Sequence, residues 1–254
     1  MPISDSDKEY VMGLEKGLAI IEAFVQSKAP MTLSQAANIT GHSKASVRRS
    51  LHTLCRLGYA AQEGRLFQLA PRTLRLGHAY IGSDPLTKVA QPILEMVSER
   101  TKESASLAVL DSQDALFVAR STQRRSLSSG LAIGARLPAY CSATGRVLLS
   151  GQEQSHVLFL LNRMTRPAYT PHTITGVSEI VEQIRLVKIQ GYAIATEELE
   201  IGIRSMAIPI RNARGEMVAA MSISVATRRM TVEAIVANLL PELESARMLF
   251  SSLL

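Results

Sequence analysis

The chain has 254 residues, 46% hydrophobic and 20% charged, the balance of a soluble globular protein with room for about two domains. No apolar run approaches the ~20 residues that span a bilayer, the polar N-terminus does not read as a secretory leader, and two distant cysteines, Cys55 and Cys141, make no disulfide framework, so the expected setting is cytoplasmic and reduced, with no membrane partner. The net charge is +6, and the absence of tryptophan argues against a protein that stacks single-stranded nucleic acid.

Residues 1–10 read as disordered. Residues 11–25 predict a helix with Leu14, Leu18, Ile21 and Val25 on its apolar face. Residues 32–57 then predict two short helices joined by a tight turn. Thr32 followed by Gln35 fits a capping box, Gly41 is a natural stop, and Ser43 can cap the second helix. Val47, Leu51, Leu54 and Leu57 recur at helical spacing, while Lys44, Ser46, Arg48, Arg49, His52 and Arg56 are assigned to the opposite face. An apolar-backed, basic-fronted helix after a sharp turn is the helix-turn-helix pattern. Residues 59–61 and 65–69 predict a hairpin turning at Glu63-Gly64, which is the wing, with Arg65 beside its tip. Residues 31–82 carry seven Lys or Arg against one acidic residue, Glu63, so this region accounts for the whole net charge. A local basic patch on a balanced chain is what phosphate neutralisation requires, and double-stranded DNA is the predicted partner.

Residues 71–80 predict a connecting helix that Ser83-Asp84-Pro85 ends. The expected domains are therefore 11–70, a linker over 71–84, and 85–254. In the second domain a helix is predicted over 86–102, with Pro92 expected to kink or break it. Strands over 106–110 and 115–120 should pair as a hairpin, and 127–133 reads as another strand. Helices follow over 143–150, 154–161 and 178–190, strands over 192–196, 205–210 and 217–226, and one or two helices over 232–254, interrupted at Pro241. The expected class is α+β, with a sensor-like second domain.

Residues 136–145, RLPAYCSATG, put Ser142, Ala143, Thr144 and Gly145 before an apolar helix. Free backbone N–H groups there favour an anion, and small side chains would let one approach; a plain loop with an N-cap fits equally. Ser222 and Ser224 share one strand face, either as the polar floor of a pocket or as a solvent face. Glu197, Glu198 and Glu200 could do acid/base work, or form a solvated turn paired with an arginine such as Arg204. Cys141 invites reading as a nucleophile or as a buried thiol. His52 and Cys55 lie one helical turn apart, too few for a zinc site by themselves. Neither a metal nor a cofactor is assigned, and no catalytic residue is either.

Several stretches resemble the IclR family of bacterial transcriptional regulators. They are GLEKGLAIIEAF (13–24), the helix-turn-helix, RLFQLAPRTLRLG (65–77), GARLPAYCSATGRVLLS (134–150), QGYAIATEELEIGIRSMAIPIRN (190–212) and the late SIS strand. EYVMGLEKGLAIIEAF, AYIGSDPL and LPAYCSATGRVLLS resemble the branch that controls catabolism of protocatechuate, 4-hydroxybenzoate and β-ketoadipate. The resemblance implies a winged helix-turn-helix domain joined by a linker helix to a GAF-like effector-binding domain. It implies homodimers, and pairs of dimers, on palindromic operators. The helix-turn-helix and wing reading puts the expected DNA contacts on Thr32, Lys44, Ser46, Arg48, Arg49, His52 and Arg65. Effector contacts fall on Ser142, Ala143, Thr144 and Gly145 and on Ser222 and Ser224, with Arg120 or Arg136 as the cation for a small organic acid. Glyoxylate-binding members carry an aspartate where this chain has Ala195, which argues for a larger acid. The rival expectations are a short keto acid such as glyoxylate or pyruvate, a GAF-like enzyme using Cys141, and a metal sensor using His52 and Cys55.

Overall fold

The computed structural model describes residues 9–123 and 131–254, so residues 1–8 of the expected disordered start lie outside it, as do positions 127–130 of the strand predicted over 127–133. The chain divides into two compact units, one ending at Tyr80 and one beginning at Ile81.

The first unit holds helix α1 (Met12–Ser27), strand β1 (Met31–Thr32), helices α2 (Leu33–Thr40) and α3 (Lys44–Arg56), and strands β2 (Ala60–Glu63) and β3 (Leu66–Leu69). The three strands form one antiparallel sheet in the order β1-β3-β2. Thr32 caps α2 through a full capping box: its backbone N–H donates to Gln35 Oε1 at 2.8 Å, and Gln35 N–H returns to Thr32 Oγ1. Gly41 ends α2 with φ +69°, and Ser43 caps α3. The core joins Ile20, Ala23 and Phe24 of α1 to Ala36, Val47, Leu51 and Leu54. The predicted α1 face is therefore rotated. Leu14, Leu18 and Val25 are exposed, because the i, i+3, i+4 set of Ile20, Ala23 and Phe24 meets α3. Leu57 is exposed too, as the residue that ends α3.

Helix α4 (Leu74–Ser83) follows a 3-10 turn at Pro71–Thr73 and buries none of its side chains. Asp84 caps α5 (Pro85–Thr101), with Pro85 in the first turn, where a missing N–H costs nothing. The expected break at Pro92 does not occur. The helix is continuous, with Pro92 on its exposed side and Ala90, Ile93, Leu94 and Val97 buried; burial of that face outweighs one lost hydrogen bond.

The second unit is built on a six-stranded antiparallel sheet. Its strands are β4 (Ser104–Asp111), β5 (Asp114–Ser121), β6 (Arg136–Pro138), β7 (Ala193–Thr196), β8 (Ile203–Arg211) and β9 (Met217–Ala226), in the order β6-β5-β4-β9-β8-β7. Strand β6 follows the stretch 127–133 that reads as a strand; of that stretch the described residues, 131–133, belong to none. The helices are α6 (Ala143–Ser150), α7 (Gln154–Arg163), α8 (Val177–Gln190), α9 (Val232–Asn238) and α10 (Leu240–Leu253). The fold is α+β, as the sequence predicts.

Alternation along the strands makes the two sheet faces unlike. One face carries Leu107, Met206, Ile208, Met221 and Ile223 and packs under α5 and α10. The other carries Ala108, Ala207, Ala220 and Ala193 under α6. Its neighbouring positions are serines. Ser106 pairs across the strands with Ser222, and Ser205 with Ser224. Large side chains fill the first face. Small ones leave space beneath the start of α6.

Candidate functional site

In the first unit a groove runs between the start of α2, the outer side of α3 and the wing. Thr32, Ser34, Arg48, His52, Gln62 and Arg65 line it. Lys44, Arg48, Arg49, His52 and Arg56 are all exposed, as a nucleic-acid face needs. Arg49 faces the other flank, toward Lys16 and Gly17 of α1. Ser46 departs from the expectation. It is 9% exposed, because its position on the helix turns it toward the core flank rather than outward. Arg65 is in the wing turn itself, since Glu63 and Leu66 form the last strand pair. Arg72 is committed elsewhere. It lies 5.3 Å over the Tyr59 ring and donates to Leu57 O at 2.8 Å, where a cation meets the negative end of α3.

In the second unit a cavity of about 390 Å³ opens under the first turn of α6. Ser142 caps that helix. Its Oγ accepts from Gly145 N–H at 3.1 Å and donates to Pro138 O at 2.9 Å. Ala143 and Thr144 line the cavity with Ser142. The strand serines form its floor, Ser222 and Ser224 among them, so the pocket alternative applies to those two rather than the solvent face. Ser205 and Ser224 bond each other at 2.9 Å. Ser106, Ser222 and Thr144 are 3–5% exposed, and their hydroxyls have no partner among the described residues. Phe117, Leu131, Leu137, Ile203 and Ala195 supply apolar wall.

Three of the expected effector contacts are engaged within the fold. Gly145 is not part of the wall. A Cβ there would stand 2.2 Å from Ala139 Cα, so the glycine serves the close approach of α6 to the preceding turn. Arg120 lies beside the floor residue Ser106 rather than among the wall residues. It pairs across the strands with Ser106, its Nε donates to Thr122 Oγ1 at 3.2 Å, and burial lowers its pKa. Arg136 does line the cavity, but its charge is already answered. It bonds Asp114 Oδ2 at 3.0 Å and also binds Asp111, and although burial opposes it, those carboxylates raise its pKa.

The acidic cluster is not bound to Arg204, which donates to Thr196 Oγ1 and Met230 O. Glu198 is buried and held by Arg146 through two hydrogen bonds, 2.6 and 2.7 Å. Its Oε2 also accepts from Ile174 N–H at 3.1 Å. Glu197 Oε1 accepts from Gly202 N–H and Thr227 Oγ1. Glu200 lines the cavity with an exposed carboxylate. The Cys141 thiol is fully buried and pushed up to about 12, chiefly by that burial, so it is the opposite of an activated nucleophile. Among the described residues no cluster of three His, Cys, Asp or Glu could hold a metal, and no helix is long and apolar enough to cross a membrane.

The sequence does not single out Ser106, Ser205 or Tyr169, all in the wall, and it flags Glu200 only as one of an acidic cluster. Ser104-Ala105-Ser106 repeats the alternation that flagged Ser222 and Ser224, so the signal for Ser106 was present. Nothing local marked Tyr169, which sits in an irregular segment.

A winged helix-turn-helix in one chain with a unit that encloses a polar-floored cavity defines a ligand-responsive DNA-binding regulator. Residues 13–64 match the IclR helix-turn-helix domain, and residues 78–249 match the bacterial transcriptional regulator IclR C-terminal domain. The chain belongs to the IclR family. It is 39% identical over 241 residues to the Pca regulon regulatory protein of Pseudomonas putida, covering 94% of this chain and 83% of that one. A solved protein of Rhodococcus sp. RHA1, described as a transcriptional regulator, is 40% identical, with TM-score 0.82 over 96% of this chain and 98% of that one. The inducer-binding domain of a PobR transcription factor double mutant from Acinetobacter, solved with 3-hydroxybenzoic acid, is 31% identical, with TM-score 0.62 over 66% of this chain and 98% of that domain.

Proposed function

We propose that the chain is a transcriptional regulator that binds operator DNA through its winged helix and controls genes of aromatic-compound catabolism in response to a small organic acid. The observation that carries the ligand half is the cavity. Hydroxyls without partners, on the buried residues Ser106, Ser222 and Thr144, line the cavity with the start of α6 and an apolar wall. That arrangement suits a carboxylate at one end and a ring against the wall, and the volume sits in the ~300–1,000 Å³ range of small-molecule sites. Ala195 in the wall leaves room for a ligand larger than glyoxylate. The PobR domain in complex with 3-hydroxybenzoic acid supports the same reading.

On the DNA side, Arg48 and His52 of α3 would enter the major groove with Lys44 and Arg49 toward the backbone, and Arg65 at the wing tip would meet a phosphate. Thr32, the N-cap of α2, has both its backbone N–H and its hydroxyl engaged with Gln35, so a phosphate at that helix end would meet the first-turn N–H groups that follow it. The protein acts as a homodimer on a palindrome, with pairs of dimers as the larger assembly. The acid would bias operator affinity by binding one conformational state better than another.

The test is thermal unfolding with protocatechuate, 4-hydroxybenzoate, 3-hydroxybenzoate, β-ketoadipate, glyoxylate and pyruvate. An acid at 100 times its Kd stabilises by ~2.7 kcal/mol. A midpoint shift with an aromatic acid, lost in Ser222→Ala, is the expected result. A shift only with glyoxylate or pyruvate would overturn the assignment of a larger acid.

A further inference from the structure

The cavity has two chemically different ends. The inner end is made of hydrogen-bond donors nine-tenths buried, among them Ser106, Ser222 and Thr144. The outer end is made of exposed residues and is rich in acceptors. Glu200 has no partner among the described residues, and Arg136 is shared between Asp111 and Asp114. Among the charged residues of the described wall, Glu200 is the one left without a counter-charge, because Arg136 is held by Asp111 and Asp114 and Glu198 by Arg146. Tyr169, half exposed, is the other polar group there.

Resting on the reading that the inner end seats a carboxylate, we infer that the rim selects the ligand's far end: it accepts a neutral hydrogen-bond donor, such as a ring hydroxyl, and rejects a second carboxylate. Glu200 is the specificity-determining residue. A phenol donates to its carboxylate. A second anion placed there meets an unpaired like charge and finds Arg136 already occupied, since drawing the guanidinium away would strand Asp111 and Asp114. The effector is therefore a hydroxylated aromatic monoacid, and dicarboxylates of similar length are poor ligands.

The unoccupied inner hydroxyls are what make this more than an acidic surface patch. They fix which end of an acid goes inward, and so what the rim meets.

Calorimetric titration of the full chain with 4-hydroxybenzoate, benzoate and benzene-1,4-dicarboxylate tests it. The hydroxy acid should bind at least tenfold tighter than the dicarboxylate, and tighter than benzoate. Glu200→Gln, on an exposed turn, should leave folding intact and narrow the gap to the dicarboxylate by at least threefold. A dicarboxylate that binds as tightly as 4-hydroxybenzoate, or a Glu200→Gln variant with unchanged ratios, overturns the rim assignment while the cavity reading stands. Silence from all three overturns the rim assignment, and silence from the whole acid panel overturns the cavity reading with it.

Discussion

Arg146 and Glu198 form a forked ion pair inside the second unit, with both side chains at most 5% exposed. Arg146 Nε also donates to Tyr140 O at 3.1 Å. Glu198 takes Ile174 N–H, and Thr173 Oγ1 donates to Glu198 O. One pair therefore ties the start of α6 to the 170–174 segment and to the loop after β7. Removing one partner leaves a buried charge unpaired. Arg146→Met should cost ~3–5 kcal/mol, read from urea unfolding, whereas Arg146→Met with Glu198→Leu should recover much of it. A single variant as stable as the parent would show that the pair does not hold these segments together.

Gly145→Ala tests whether the cavity's shape depends on backbone contact. The new methyl would overlap Ala139 Cα and its carbonyl, and main chain cannot step aside as a flexible side chain can. Overpacking of this kind costs ~1–3 kcal/mol. It should also push the α6 N-terminus outward and weaken acid binding more than stability. Unchanged titrations with the acid panel would mean the first turn of α6 does not set the ligand site.

Legibility in the sequence followed distance along the chain. The Thr32–Gln35 box, the Gly41 stop and the Ser43 cap are local hydrogen bonds, and all three stand in the structure. Ser46 was misplaced because a small polar residue reads as surface, while its helix position lies beside the core. The face of α1 was misread because apolar residues recur on both of its sides, and only α3 decides between them. Strand β6 has three residues and no alternation of its own; pairing with β5 makes it a strand. The Arg146–Glu198 pair spans 52 positions, so the nearer Arg204 seemed the natural partner. The cavity itself arises from alanines and serines on one sheet face, a property of four strands together.

The DNA face makes separable predictions. Arg65→Ala should weaken all operators alike and lower the slope of log K against log salt by ~0.9, the signature of one lost phosphate contact. Arg48→Ala should relax base preference by ~1–3 kcal/mol if it reads a guanine. Ser46→Ala, buried against the core, should leave operator affinity unchanged. Electrophoretic mobility or anisotropy titrations across salt would check all three. Unweakened binding in both arginine variants would remove α3 and the wing from the interface.

Glu103 gives a prediction in pH. Its side chain is 2% exposed and meets Arg229 Nη1 at 2.8 Å. Burial raises its pKa above the ordinary carboxyl value, and the attraction of Arg229 only partly offsets that. A carboxyl whose pKa is higher folded than unfolded contributes stability that is fully present below the unfolded value. That contribution is lost as pH rises through the folded one. Charged Glu103 is therefore a cost to the fold at neutral pH and a smaller one in mild acid. Glu103→Gln keeps the shape and removes the charge, so it should match or exceed the parent in urea unfolding at pH 7. Its advantage should shrink as pH is lowered through the carboxyl range. A variant less stable than the parent at pH 7, with the deficit closing in acid, would mean that the ion pair with Arg229 outweighs the cost of burial.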